Sequence, residues 1–347
     1  MNIENEHGLR ILQVGAEEAL ERDWHEERPD ADVVRVTDPD VTAAASLEAA
    51  GFVVKPRWMT WIAPAYASED EFFQRMSRRS RRSARNSAGI LLDRGIAPVL
   101  RSPLTVADLD RFLGMYEAHV ATLRNGIPFA RRIRDSLVAE LDRYYLVEAL
   151  DRGGDVVGAC LCETDAEASI VRIRFTALSS GERDGNLART LYLTAFGEAR
   201  ENGIRWVSLG SDPSTYGHLV QPGLFVFKSR FGFFPVPMGF LRPDLTGHYT
   251  ANDAERALRL STLSDPSLFI GYEGPPPELS GAGPGQLAEG PDGHPAPPVA
   301  LRMEVLTHDE DTDIAPYHAK YLTRSTLRVI RPDGASPLPR YARSVAV

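Results

Sequence analysis

Lysine is nearly missing from this sequence: three stand against 36 arginines. With abundant Ala, Gly and Pro, that skew points to a GC-rich bacterial coding sequence rather than to a mechanism. Cysteine is as scarce, with only Cys160 and Cys162. Two apart on an expected strand, they share a face, sit too close for easy bridging, and read as buried thiols of a reducing compartment. No apolar run approaches the roughly 18 residues that a membrane-spanning helix needs. The first residues carry acids and no apolar core of a leader, so the expectation is a cytoplasmic protein without a membrane partner. Also missing are a Gly-x-Ser-x-Gly elbow, a phosphate-binding Walker loop and a His-Glu-x-x-His pair. The eight histidines are scattered without ligand spacing, so no metal is expected. Asp309, Asp311 and Asp313 imitate a calcium loop, but Ile314 and Lys320 stand at its sixth and twelfth positions.

What is present suffices for a globular chain: 347 residues, 43% of them hydrophobic. The net charge of −9 argues against indiscriminate coating of nucleic acid, though not against a local basic patch. Periodicity predicts strands at 10–14, 33–36 and 57–63, a helix at 42–50, and a helix opened by Ser68 and Glu71 and ended by Gly89. A fuller set follows: helices at 106–123 and 132–142, strands at 144–149, 156–163 and 170–178, a helix at 187–202 and a strand at 205–209. A short helix near 224–231 and a strand around Phe234 end it. Beyond lie an expected helix at 254–261, a linker at 274–298 with eight Pro and six Gly, and strands at 299–306 and 326–330. The order implies α/β architecture with a mixed sheet and one splayed parallel pair. Three segments are expected: 1–95, reduced; 96–240, complete and catalytic; and 241–347, a C-terminal extension.

Several stretches together resemble the superfamily of GCN5-related N-acetyltransferases, and within it the Fem-like acyl and aminoacyl transferases. They are Trp58-Met59-Thr60-Trp61-Ile62, the run Arg78-Arg79-Ser80-Arg81-Arg82-Ser83-Ala84-Arg85-Asn86, Val207-Ser208-Leu209-Gly210, and Phe227-Lys228-Ser229-Arg230-Phe231-Gly232-Phe233. The similarity covers roughly residues 30–240 and implies two copies of the fold, the first one reduced. It also implies an enzyme that forms an amide bond by direct transfer of an acyl group. Two donors stay open: a thioester on coenzyme A or an acyl carrier protein, and an aminoacyl-tRNA. The acceptor is an amine on a small molecule or peptide. A degenerate fold that only binds a partner protein is the remaining alternative.

The acetyltransferases hold the donor pyrophosphate on a glycine-rich loop before a helix, an anion nest of backbone N–H groups. At that place this chain has Ser179-Ser180-Gly181-Glu182-Arg183-Asp184-Gly185-Asn186-Leu187-Ala188. Gly181 and Gly185 keep the flexibility, but Glu182 and Asp184 oppose phosphate and Leu187 replaces a small residue. The resemblance makes backbone N–H groups of Thr176, Ala177 and Leu178 the oxyanion donors.

The densest polar stretch, Gly210-Ser211-Asp212-Pro213-Ser214-Thr215-Tyr216-Gly217-His218, follows the fifth expected strand, at the edge where α/β sheets bind ligands. Asp212 or His218 is the candidate acceptor of the amine proton, and Tyr216 the candidate donor to the leaving group. An ordinary turn would read the same way. Lys228 and Arg230 are candidates for a donor phosphate or an acceptor carboxylate, or else a solvated helix end. Tyr192 faces either the cleft or the core. Arg75, Arg78, Arg82 and Arg85 recur at helical spacing and could meet phosphates of tRNA or a carrier arm; the alternative is a solvated face.

Overall fold

The computed structural model describes residues 2–6, 8–27, 29–123, 126–179, 185–241, 247–277 and 297–330. Their contacts divide into two units that interleave along the chain. The first draws on 1–60, 211–229 and 234–347, the second on 61–210 and 230–233. The three segments read from sequence follow chain order, which these units do not.

In the first unit a five-stranded mixed sheet runs in the order Asn2–Glu6, Leu9–Gln13, Val33–Thr37, Asn252–Ala257, Val53–Pro56. Its second and third strands are parallel, and Asn252–Ala257 is antiparallel to both neighbours. This last strand corrects the helix expected at 254–261. Ala254, Glu255, Arg256 and Ala257 are fair helix formers, but alternation sends Asp253 and Glu255 to one face, where buried cations wait. Tertiary pairing overrides local propensity there. A second sheet of this unit orders Thr215–Tyr216, Ser267–Tyr272, Leu301–Thr307 and Leu322–Val329. Val53, Phe269 and Leu306 pack in the first unit's core with Leu260 and Leu263.

In the second unit strand residues 61–64, 206–210, 170–178, 156–165, 144–150 and 97–101 lie side by side in that order. The expected class, α/β with a mixed sheet, is what the chain adopts; this sheet holds the parallel pair Trp206–Pro213 with Ile170–Leu178, and the first unit's two sheets each add another. Helix Val106–Val120 starts in a full capping box between Thr105 and Asp108 and buries Leu109, Phe112, Leu113 and Tyr116 against Leu146, Leu161 and Ala177. Helix Gly185–Glu201 buries Leu187, Leu191, Ala195, Phe196 and Ala199. Cys160 and Cys162 are free and buried, with Sγ atoms 3.7 Å apart, and burial pushes the Cys160 thiol up.

Two expected helices are broken. The one opened by Ser68 stops at Arg75, and a second, Arg78–Asp93, begins with Ser77 accepting from the Ser80 N–H. Buried Met76 is extended between them, so Arg75 stands on a different helix from Arg78, Arg82 and Arg85. The helix expected at 132–142 is Phe129–Arg132, Arg134–Ala139 and a 3-10 turn, Leu141–Arg143. Among the described residues no helix is long and apolar enough to cross a membrane.

Candidate functional site

The parallel pair at the centre of the second unit is short. Trp206, Val207 and Ser208 are in register with Ile170, Val171 and Arg172, and the pairing ends there. Both strands run on, one to Leu178 and the other to Pro213. On its far side Ile170–Leu178 stays paired with Val156–Asp165 to its last residue. The ladder with that neighbour skips Arg174 at a bulge, and beyond it alternate residues of 175–178 turn N–H and C=O toward the side where the parallel pairing has ended.

Side chains along that strand alternate. Phe175 and Ala177 belong to the core under helix Val106–Val120, so Ala177 has only its backbone to offer. Thr176 points the other way and its Oγ1 lies 3.1 Å from the Tyr192 hydroxyl on helix Gly185–Glu201. Burial pushes the Tyr192 phenol up, against the pull of the Thr176 hydrogen bond, to about 12. The phenol therefore keeps its proton through the neutral range.

Gly185 opens that helix directly after 180–184, so the calls on Gly181, Glu182 and Asp184 lie outside the described residues. Leu187 is fully buried, and a Cβ at Gly158 would come within 2.9 Å of it. The large residue at the small-residue position is thus part of the core. Sequence reading missed Arg189. Its guanidinium folds back toward the helix start, where a Cβ on Gly185 would meet Nη1 at 3.0 Å. That positive charge lies at an end already electropositive.

The polar stretch after Gly210 belongs, from Ser211, to the first unit. It is less a turn than a continued strand, reaching Pro213, followed by Thr215–Tyr216. Asp212 Oδ2 accepts from the Tyr216 hydroxyl at 2.8 Å and from Lys228 Nζ at 2.7 Å, and all three residues are buried. Burial pushes the Lys228 ammonium pKa down and the Asp212 carboxylate works against it. Lys228 is therefore committed to an internal partner, whereas Arg230 is exposed. His218 bonds outside this cluster. Its Nδ1 meets the Thr262 carbonyl at 2.9 Å, and its ring stands beside Gly8.

Of the arginine series, Arg75 pairs with Glu71, and Arg85 pairs with Asp70 and lies 5.1 Å over the Phe73 ring. Arg78, Arg79 and Arg82 are exposed and have no ion pair among the described residues.

A charged cavity of the first unit also escaped the sequence reading. Arg35, Lys55 and Arg57, all buried, meet Glu255, Asp253 and Glu6. Burial raises Glu255, but Lys55 and Arg35 outweigh it and hold that carboxyl at about 2. The available signals were Lys55, one of only three lysines, lying amid apolar residues, and the alternation of Asp253 with Glu255.

No protein-family model and no curated protein matches the chain. Among solved structures it is similar to FemX, at 16% identity over 71% of this chain and 80% of that one, with a TM-score of 0.42. It is also similar to the C-terminal domain of a putative lysylphosphatidylglycerol synthetase from Agrobacterium fabrum (11% identity, 67% and 70% covered, TM-score 0.37). A tandem GNAT protein from the clavulanic acid biosynthesis pathway is similar at 13% identity, with 67% of each chain covered and a TM-score of 0.34. Every one of these scores is under 0.5, so the likenesses are partial.

Proposed function

We propose that the chain is an acyltransferase that forms an amide by direct transfer from an activated acyl donor to an amine. The observation that carries this reading is the parting of two parallel strands after Arg172 and Ser208. An acyl group seated along Thr176–Leu178 would take backbone N–H donors on its carbonyl oxygen. Such donors stabilise the charge that develops as the amine nitrogen attacks the carbonyl carbon. When the tetrahedral intermediate collapses, the leaving thiolate or alkoxide needs a proton. Tyr192, protonated at neutral pH and bonded to Thr176, is the proposed source. Gly185 and Arg189 are the proposed holders of the donor's anionic carrier. For the proton shed by the amine, Asp212 remains the proposed acceptor.

The donor is proposed as a thioester on coenzyme A or a carrier protein. An aminoacyl-tRNA is the second reading, favoured by the exposed Arg78, Arg79 and Arg82. The test is single-turnover assay of the purified protein with acyl thioesters and with aminoacyl-tRNA, each against a panel of amines. Mass spectrometry should find an amide from one donor class, lost in Tyr192→Phe. If no donor class yields an amide while the protein is folded, the chain is a binding protein on this scaffold.

A further inference from the structure

The cavity of the first unit lies among Glu6, Arg35, Lys55, Arg57 and Glu255 on its polar side, and Leu9, Ile11, Val33 and Leu219 on its apolar side. Buried ion pairs are poor stabilisers, because desolvation offsets most of their attraction. Five charged residues around a void in a small sheet therefore call for another reason, and their hydrogen bonding supplies one. Lys55 Nζ bonds Ser214 Oγ at 3.0 Å and Glu255 at 3.1 Å, and faces the Phe269 ring at 5.8 Å. Its third N–H meets no acceptor among the described residues. Arg35 spends Nε on Glu255 and Nη1 on Glu6, leaving Nη2 without a partner among the described residues. Arg57 gives Nε and Nη2 to Asp253, while Nη1 meets only the His248 ring at 3.2 Å, a partner that a carboxylate would displace. Three buried cations thus hold donors in reserve. Glu6, at the more exposed end, has the complementary sign.

With Asp253 counted behind the lining as the partner of Arg57, the charges sum to zero: Arg35, Lys55 and Arg57 against Glu6, Asp253 and Glu255. A ligand bearing one carboxylate alone would leave a net buried charge, whereas a zwitterion would not. The void is about 50 Å³. At about 10–15 Å³ per enclosed water, it has room for roughly three to five non-hydrogen atoms. The main-chain atoms of one amino acid number five, so this void takes the head group alone, and a side chain lies in the surrounding open cleft of about 560 Å³.

We propose that this cavity is a binding site for a free aliphatic α-amino acid. Its carboxylate meets Lys55, Arg35 and Arg57 Nη1, its ammonium meets Glu6, and its side chain lies on Leu9, Ile11, Val33 and Leu219. The site carries no transfer step, so it stands or falls separately from the acyltransferase reading.

The test is titration calorimetry of the full chain with L-leucine, 4-methylpentanoate and 3-methylbutylamine, which keep both charged groups, the carboxylate alone and the amine alone. Leucine should bind saturably, and each analogue at least tenfold more weakly. Leu219→Trp, at a half-buried wall position, should abolish binding with melting unchanged. Glu6→Gln should weaken leucine at least fivefold and leave 4-methylpentanoate unaffected. No saturable heat from leucine at several millimolar, or equal binding of the three probes, overturns the proposal. So does undiminished leucine binding in a folded Leu219→Trp protein.

Discussion

Lys228 Nζ sits 2.7 Å from Asp212 Oδ2, and neither side chain has meaningful contact with solvent. The Tyr216 hydroxyl completes the arrangement on the same oxygen. Removing one partner strands the other charge in the interior, typically a loss of about 3–5 kcal/mol. Lys228→Met should therefore lower stability by that order, measured by denaturant unfolding. The double variant Lys228→Met with Asp212→Asn should lose less than the two single changes summed. Additive losses would mean that the pair is not coupled.

Catalysis separates two sets of residues. Tyr192→Phe and Thr176→Val should each cut the turnover number by more than tenfold, within the ~10²–10⁴ range for a lost acid or its positioning partner. Melting should change little, since each removes one hydroxyl. Asp212→Asn, Tyr216→Phe and His218→Ala, made singly, decide whether the stretch after Gly210 takes part in proton transfer. We expect at least one to fall tenfold in turnover. Unchanged turnover in all three would leave the chemistry to backbone groups and substrate alignment.

The pH dependence of stability should report on Glu255. Its folded value of about 2 lies below the ordinary 4.5, so the unfolded chain binds this proton more readily. The stabilisation is complete above 4.5 and is lost as pH falls through the folded value. In Glu255→Gln the slope of unfolding free energy against pH should lose about one proton over that interval. An unaltered slope would assign the acid sensitivity to other carboxylates.

Free coenzyme A should bind weakly, because Glu182 and Asp184 are charges of the wrong sign for pyrophosphate. Calorimetry should give a dissociation constant above about 1 μM, or less than about 8 kcal/mol of binding free energy. Tighter binding would show that Arg189 and the helix start overcome those acids.

The exposed arginines give a test with a salt axis. Arg78→Glu, Arg79→Glu and Arg82→Glu together should leave folding intact, since none is paired among the described residues. If the donor carries a run of phosphates, its binding should weaken steeply with salt, and the triple change should flatten that slope by about one per lost contact. A wild-type response that is already flat makes this helix a solvated face.

The second unit was far more legible than the first. Residues 170–178 are rich in β-branched and aromatic residues (Ile170, Val171, Ile173, Phe175, Thr176), and the strand Ile170–Leu178 appears with those bounds. Local pattern could not reveal Asn252–Ala257, because its reason for being extended lies some 200 residues earlier, at Arg35, Lys55 and Arg57. The candidate site shows the same divide. Asp212, Tyr216 and Lys228 were singled out by residue type, but their mutual bonding is a three-dimensional fact. Tyr192 and Thr176 met through one hydrogen bond between a helix and a strand, which no spacing rule anticipates.

The strand Asn252–Ala257 lies between Val33–Thr37 and Val53–Pro56 in the first unit's sheet. On the ribosome, the first 60 residues emerge long before that strand exists, and until it arrives Arg35, Lys55 and Arg57 lack Asp253 and Glu255. The second unit, nearly all of it within 61–210, can close while synthesis continues. Residues 1–60 are therefore made before the second unit and finished after it, and a chain released early at residue 240 would carry a completed second unit and an open, charge-lined half-sheet.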